Sequence, residues 1–135
     1  MQMISSNIEQ GELVVADILF AEQGSKKRRL ALVISNTEYN KQSRDIVVLK
    51  VTSSGEPSAY SISLAKESTV NNALKKDSRI VVDFPVTIVK QNVLSRPDRV
   101  SQELLSNIKS RIAQFYAISA NHLRLRDDQN QKGNN

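Results

Sequence analysis

Branched apolar residues come in short bursts, with polar, turn-forming residues between them. Leu13 to Phe20, Leu30 to Ile34, Ile46 to Val51, Ile80 to Phe84 and Val86 to Val89 are each too short for a typical helix and rich in Val and Ile. Runs of four to eight such residues bounded by turn signals predict strands, and several at close spacing predict an all-β core. The expected strands are residues 12–20, 30–35, 45–51, 59–64, 79–84 (stopped by Pro85) and 86–89, with polar turns at 36–43 and 53–58 and a polar stretch at 65–77. Beyond Pro97 the period changes. Leu104, Leu105, Ile108, Ile112, Phe115 and Tyr116 recur at three- and four-residue spacing, and Ser101 is placed to cap a helix. One amphipathic helix packed across a small antiparallel barrel or sheet is the architecture these patterns specify.

The chain has 135 residues, enough for one core and too few for two of ordinary size. Its 19 Lys and Arg against 14 Asp and Glu, a formal charge of +5, favour a polyanionic partner such as nucleic acid or an acidic protein segment. No apolar run approaches the roughly 20 residues needed to span a bilayer, and the first residues lack the pattern of a signal peptide, so a cytoplasmic location is expected. There is no Cys and one His, His122. A disulfide framework, a thiolate metal site and a His-based triad are therefore excluded by inventory.

Most of the chemistry gathers where the second strand begins. Gly24-Ser25-Lys26-Lys27-Arg28-Arg29 runs directly into Leu30-Ala31-Leu32-Val33-Ile34-Ser35. Four adjacent cations repel one another, and residues 21–29 read as a solvated loop at a sheet mouth, suited to a phosphate. Surface cations alone often do no more than keep a protein soluble. The third strand ends in Lys50-Val51-Thr52-Ser53, and period-2 alternation puts Lys50 and Thr52 on one face, opposite Val47, Leu49 and Val51. A Lys aimed into a core is costly, so that face is expected to meet solvent or a ligand groove. On the later strand Arg79, Val81 and Asp83 share one face, and Ile80, Val82 and Phe84 the other.

Gly11-Glu12-Leu13-Val14, the basic junction at 24–35, Tyr39-Asn40, Val51-Thr52-Ser53 and Pro85-Val86-Thr87-Ile88, in this order and spacing, resemble the MazF/PemK toxin family over roughly residues 10–118. The resemblance implies a half-open SH3-like barrel of the MazF/PemK/CcdB type with a C-terminal helix. It also implies a homodimer, a cognate antitoxin as partner, and sequence-specific cleavage of single-stranded RNA without metal or other cofactor. Residues 1–9 would then be an N-terminal extension, 10–120 the toxin domain and 121–135 a polar, disordered tail.

By position, the family's catalytic Arg corresponds to Arg29 and its catalytic Thr to Thr52, while the PemK branch's Asp corresponds to Asp83. Lys26, Lys27, Arg28, Lys50 and Ser53 are the accompanying RNA-binding candidates. Three departures stand out. Leu30 replaces the usual Pro after the Arg, which leaves Arg28 as an alternative; Val81 occupies the place of the branch's second Arg; Gln23 and Gly24 stand where its loop His would be.

A non-catalytic role is the competing expectation, either as an RNA binder or as a CcdB-like inhibitor. Six Phe and Tyr with no Trp are few for a base-stacking binder. The ending Lys132-Gly133-Asn134-Asn135 lacks the Trp-Gly-Ile on which CcdB-type toxins depend.

Overall fold

The computed structural model describes residues 7–20 and 24–118. The expected tail and His122 lie outside the described residues. Six strands form one antiparallel sheet: β1 (Glu12–Ile18), β2 (Lys27–Val33), β3 (Asp45–Thr52), β4 (Ser61–Leu64), β5 (Ser78–Val89) and β6 (Val93–Arg99), in the order β4-β5-β3-β2-β1-β6. The edges β4 and β6 do not pair with each other, so the barrel is half open. Helix α1 (Thr37–Gln42) joins β2 to β3, and α2 (Gln102–Phe115) closes one face. Among the described residues no helix is long and apolar enough to cross a membrane.

Alternation along β1, β2 and β3 feeds two cores. Leu13, Leu32, Leu49, Ile80 and Val82 pack beneath Leu104, Leu105 and Ile108 of α2. Ser101 caps that helix, its Oγ accepting from the Leu104 N–H at 3.1 Å. On the other side Val14, Ala16, Ile18, Phe20, Ala31, Val33, Ile46, Val48 and Ile88 form the second core, joined by Ile8, Phe84, Val86 and Val93. Each fully buried Leu, Ile or Phe contributes about 1.5–3 kcal/mol. Gly11 lets the chain enter β1 against α2: its φ is +95°, and a Cβ there would stand 3.2 Å from Leu105.

Four elements differ from the sequence expectation. β2 begins at Lys27, so three of the four cations belong to a strand, where they pair with Ile18, Asp17 and Ala16 of β1. Residues 37–42 form a helix rather than a turn. The Asn36 side chain accepts from the Tyr39 N–H at 2.7 Å, and buried Asn40 donates to the carbonyls of Ile8 and Ser35. β6 is an unforeseen strand, polar and interrupted by Pro97, which an edge tolerates.

The two short strands at 79–89 are one, β5. Its register against β3 jumps between Val81↔Lys50 and Pro85↔Leu49, leaving residues 82–84 as a bulge that absorbs the proline. Three extra residues reverse the alternation. Val82 therefore packs in the core under α2 and Phe84 against the second core, instead of sharing a face as expected.

Candidate anion-binding site

The second core ends in polar residues. On β2 the even-numbered Leu30 and Leu32 face α2, so Arg29 shares the other face with Ala31 and Val33; on β3, Lys50 and Thr52 follow Ile46 and Val48 onto that same face. Pairing aligns them: Arg29 stands across from Ala16, Lys50 across from Ala31 and Val81, and Thr52 across from Arg79. A cavity of about 120 Å³ results, lined by Phe20, Arg29, Lys50, Val51, Thr52 and Ser54.

Phe20 forms the dry wall of this cavity. It is 1% exposed, packs edge-on against Phe84 at 6.5 Å, and lies 5.3 Å from the Lys50 ammonium. That cation–π contact lets Lys50 lie along the end of an apolar core with its charge compensated. The Thr52 hydroxyl is tied into the following turn: the Ser54 N–H donates to Oγ1 at 3.2 Å, and Oγ1 lies 3.3 Å from the Ser54 carbonyl oxygen. From across the ladder Arg79 Nη2 donates to that carbonyl at 2.7 Å.

Three buried side-chain polar atoms among the described residues have no hydrogen-bond partner, and all belong to these strands: Arg29 Nε, Arg79 Nε and Asp83 Oδ1. Native interiors rarely leave such groups unpaired, because each forfeits its hydration without compensation. An unsatisfied guanidinium donor on Arg29, in the wall of a cavity that also holds the Lys50 ammonium, is suited to an anion. Among the described residues no three His, Cys, Asp or Glu side chains come together as metal ligands.

The structure brings Arg29, Lys50 and Thr52 together. Lys26, Lys27 and Arg28 are exposed and do not line the cavity; Arg28 points to the opposite sheet face, across from Asp17. Ser53 is exposed, and its neighbour Ser54 lines the cavity instead. Asp83 sits in the β5 bulge, opposite the Leu49–Lys50 step, outside the lining residues. Sequence reasoning missed Phe20, Ser54 and the contact of Arg79. Alternation already put Arg79 on a polar face, but only the register with Thr52 reveals what it touches.

A half-open barrel with one helix-covered face and a cavity lined by Arg29, Lys50 and Thr52 at the end of its second core is the class that fold and site define. The chain belongs to the PemK-like, MazF-like toxins of type II toxin-antitoxin systems, whose family model matches residues 9–116. A comparison with curated protein sequences finds no match. Among solved structures it is similar to a MazE-MazF complex from Deinococcus radiodurans (TM-score 0.68, 16% identity, covering 84% of this chain and 100% of that one). It is likewise similar to an endoribonuclease in complex with its cognate antitoxin from a mycobacterial species (TM-score 0.66, 14% identity, 83% and 97%), and to the Mycobacterium tuberculosis toxin MazF-mt6 (TM-score 0.62, 13% identity, 80% and 98%).

Proposed function

We propose that this chain is the toxin of a toxin-antitoxin pair and cleaves single-stranded RNA at specific sequences, leaving a 2′,3′-cyclic phosphate. The observation that carries this reading is the convergence of Arg29, Lys50 and Thr52 on one cavity with the Arg29 Nε buried and unpartnered. Family membership supports it, as do the endoribonuclease and antitoxin named for its structural relatives.

RNA carries its own nucleophile. The 2′-oxygen bonds to the adjacent phosphorus, the 5′-oxygen leaves, and the proton lost from the former is gained by the latter. The protein supplies orientation and charge stabilisation. Arg29 binds phosphate oxygens through its planar fork of donors as negative charge develops on them. Thr52 fixes the scissile phosphate or the 2′-hydroxyl by hydrogen bonding, and Lys50 draws the backbone into the cavity. Asp83, with its unpartnered Oδ1 in the bulge beside Lys50, is the carboxylate available to accept a proton once RNA is seated. Lys26, Lys27, Arg28 and Ser53, outside the cavity, attract flanking phosphates. An acidic antitoxin segment lying across the same cations would restrain the enzyme by exchanging carboxylates for phosphates.

Labelled single-stranded RNA incubated with the protein in excess chelator tests the reading. Defined fragments ending in cyclic phosphate are expected, with none when the 2′-hydroxyl at the cut site is replaced by hydrogen. Intact RNA bound tightly and salt-dependently would make the chain a binder instead.

A further inference from the structure

Thr52 is the last residue of β3, and the chain leaves it through Ser53, Ser54 and Gly55, all exposed. A hydroxyl-rich turn ending in glycine has little to hold its shape. Its internal bonds are long: 3.2 Å from the Ser54 N–H to Thr52 Oγ1, and 3.3 Å from that oxygen to the Ser54 carbonyl and hydroxyl oxygens. The short bond comes from outside. Arg79, paired with Thr52 across the β3–β5 ladder, donates from Nη2 to the Ser54 carbonyl at 2.7 Å. The same nitrogen would lie 3.5 Å from a Cβ added to Gly55, whose φ is +83°. The guanidinium therefore braces the turn at Ser54 and leaves only van der Waals room beside Gly55.

We infer that Arg79 is a positioning residue of the RNA-cleaving site, acting through the 52–55 turn to aim the Thr52 hydroxyl; this rests on the reading of the site given above. Because Arg79 holds the Ser54 carbonyl with a charge-assisted bond, the turn does not depend on the weaker Thr52 contact to that oxygen. The Thr52 proton is then free to swing to an RNA oxygen while the turn stays closed. Misplacing a reacting group by about 1 Å can cost roughly 10²-fold in rate, so a brace on so small a turn has kinetic consequences.

A double-mutant cycle on the full chain with a short single-stranded RNA tests the inference. Arg79→Ala is expected to lower kcat about 10-fold with KM changed less than about 2-fold, and to cost less than about 2-fold in a Thr52→Ala background, because both changes act through one hydroxyl. Arg79→Lys, which keeps a cationic donor, should recover most of the rate. Losses that multiply in the double mutant, or a loss confined to KM, overturn the inference and make Arg79 a direct phosphate ligand. Should Arg79→Ala fail to fold, Gly55→Ala strains the turn from its other end and must lower kcat only when Thr52 is present; an unchanged kcat overturns the inference. Amide exchange at Ser54 gives a reading independent of activity. It should quicken in Arg79→Lys and further in Arg79→Ala, and unchanged exchange would show that no brace exists. Quickened exchange in a protein that cleaves no RNA would instead defeat the functional reading while leaving the brace in place.

Discussion

Two polar cavities among the described residues treat charge in opposite ways. Between β1 and β6 a cavity of about 300 Å³ is lined by Glu9, Glu12, Asn71, Arg96, Asp98 and Arg99. Every acid among them is partnered. Arg96 grips buried Glu12 through Nε and Nη2 at 2.7 and 2.6 Å, Arg99 pairs with Glu9, and the Asp98 carboxylate accepts from the backbone N–H groups of Asn71, Ala73 and Arg99 at 2.7–2.8 Å. The cavity beside Phe20 is smaller, yet it and its surrounding strands hold the guanidinium and carboxylate atoms left unpaired. Size therefore does not set the two apart; unmet hydrogen-bonding capacity does. The larger cluster ties the edge strand β6 to β1, and the smaller one, with its neighbouring strands, leaves polar atoms unpaired.

The sharpest way to break this contrast is to remove one Arg from each cluster. Arg29→Ala should lower kcat/KM for RNA by roughly 10²- to 10³-fold, the usual loss when one charge-stabilising donor is removed, with the melting temperature nearly unchanged. Arg96→Ala should do the reverse. It leaves the Glu12 carboxylate, which is 10% exposed against 28% for Arg96 itself, with the Glu9 N–H but without its counter-charge, at a cost of about 2–3 kcal/mol, less than for a fully buried pair. That corresponds to a fall of about 10 °C in Tm, with cleavage per folded molecule within about threefold of the parent. Cleavage assays and thermal melts on the same preparations check both. An Arg96→Ala protein that folds normally but cannot cut RNA would dissolve the distinction.

The paired cluster should also carry a pH signature. Burial works to raise the Asp98 carboxyl pKa, but the three backbone N–H bonds and the Thr69 hydroxyl outweigh it and hold the group below its ordinary value. The unfolded chain then takes up that proton more readily than the folded one. Asp98 thus contributes stability that is complete above its unfolded pKa of about 4 and is lost as pH falls through the lower folded value. Asp98→Asn keeps one acceptor and turns a donor toward the other N–H groups, costing about 1–3 kcal/mol at neutral pH. Melting curves from pH 7 to 2.5 should show the gap between parent and variant narrowing toward the acid end. A gap independent of pH would mean that the carboxylate charge contributes nothing.

How much of this was legible in the sequence depends on where the stabilising partner sits. β1, β3 and α2 could be read because their apolar residues follow the period of the element that buries them. β6 could not, since Val93–Arg99 holds two Arg, an Asp and a Pro and is a strand only because β1 offers it backbone partners. α1 was hidden because Asn36 and Asn40 serve a turn and a short helix equally well until Asn40 finds the Ile8 and Ser35 carbonyls. In the site, strand parity was enough to put Lys50 and Thr52 on one face, whereas Arg29 could be assigned only by family resemblance, because β2 was expected to begin at Leu30 and the structure starts it at Lys27. The contact of Arg79 needed the β3–β5 register, and the reversal of faces beyond Val82 needed the bulge.

Arg28 gives the finest test, because it differs from Arg29 in little besides the face it occupies. It is exposed, lies across from Asp17, and has no part in the cavity wall. Its influence on RNA should reach the site only through the long-range field, which salt screens over about 30 Å at 0.01 M and about 8 Å at 0.15 M. Arg28→Ala should therefore reduce kcat/KM by roughly 2- to 3-fold at the lower ionic strength and leave it indistinguishable from the parent at the higher one. Arg29→Ala should remain severely impaired at both, since in the proposed mechanism Arg29 meets the phosphate directly, inside the cavity it lines. Matched salt titrations of the two variants decide the matter: an Arg28→Ala loss as deep as that of Arg29→Ala, and as indifferent to salt, would place the working guanidinium on the other face and undo the assignment by parity.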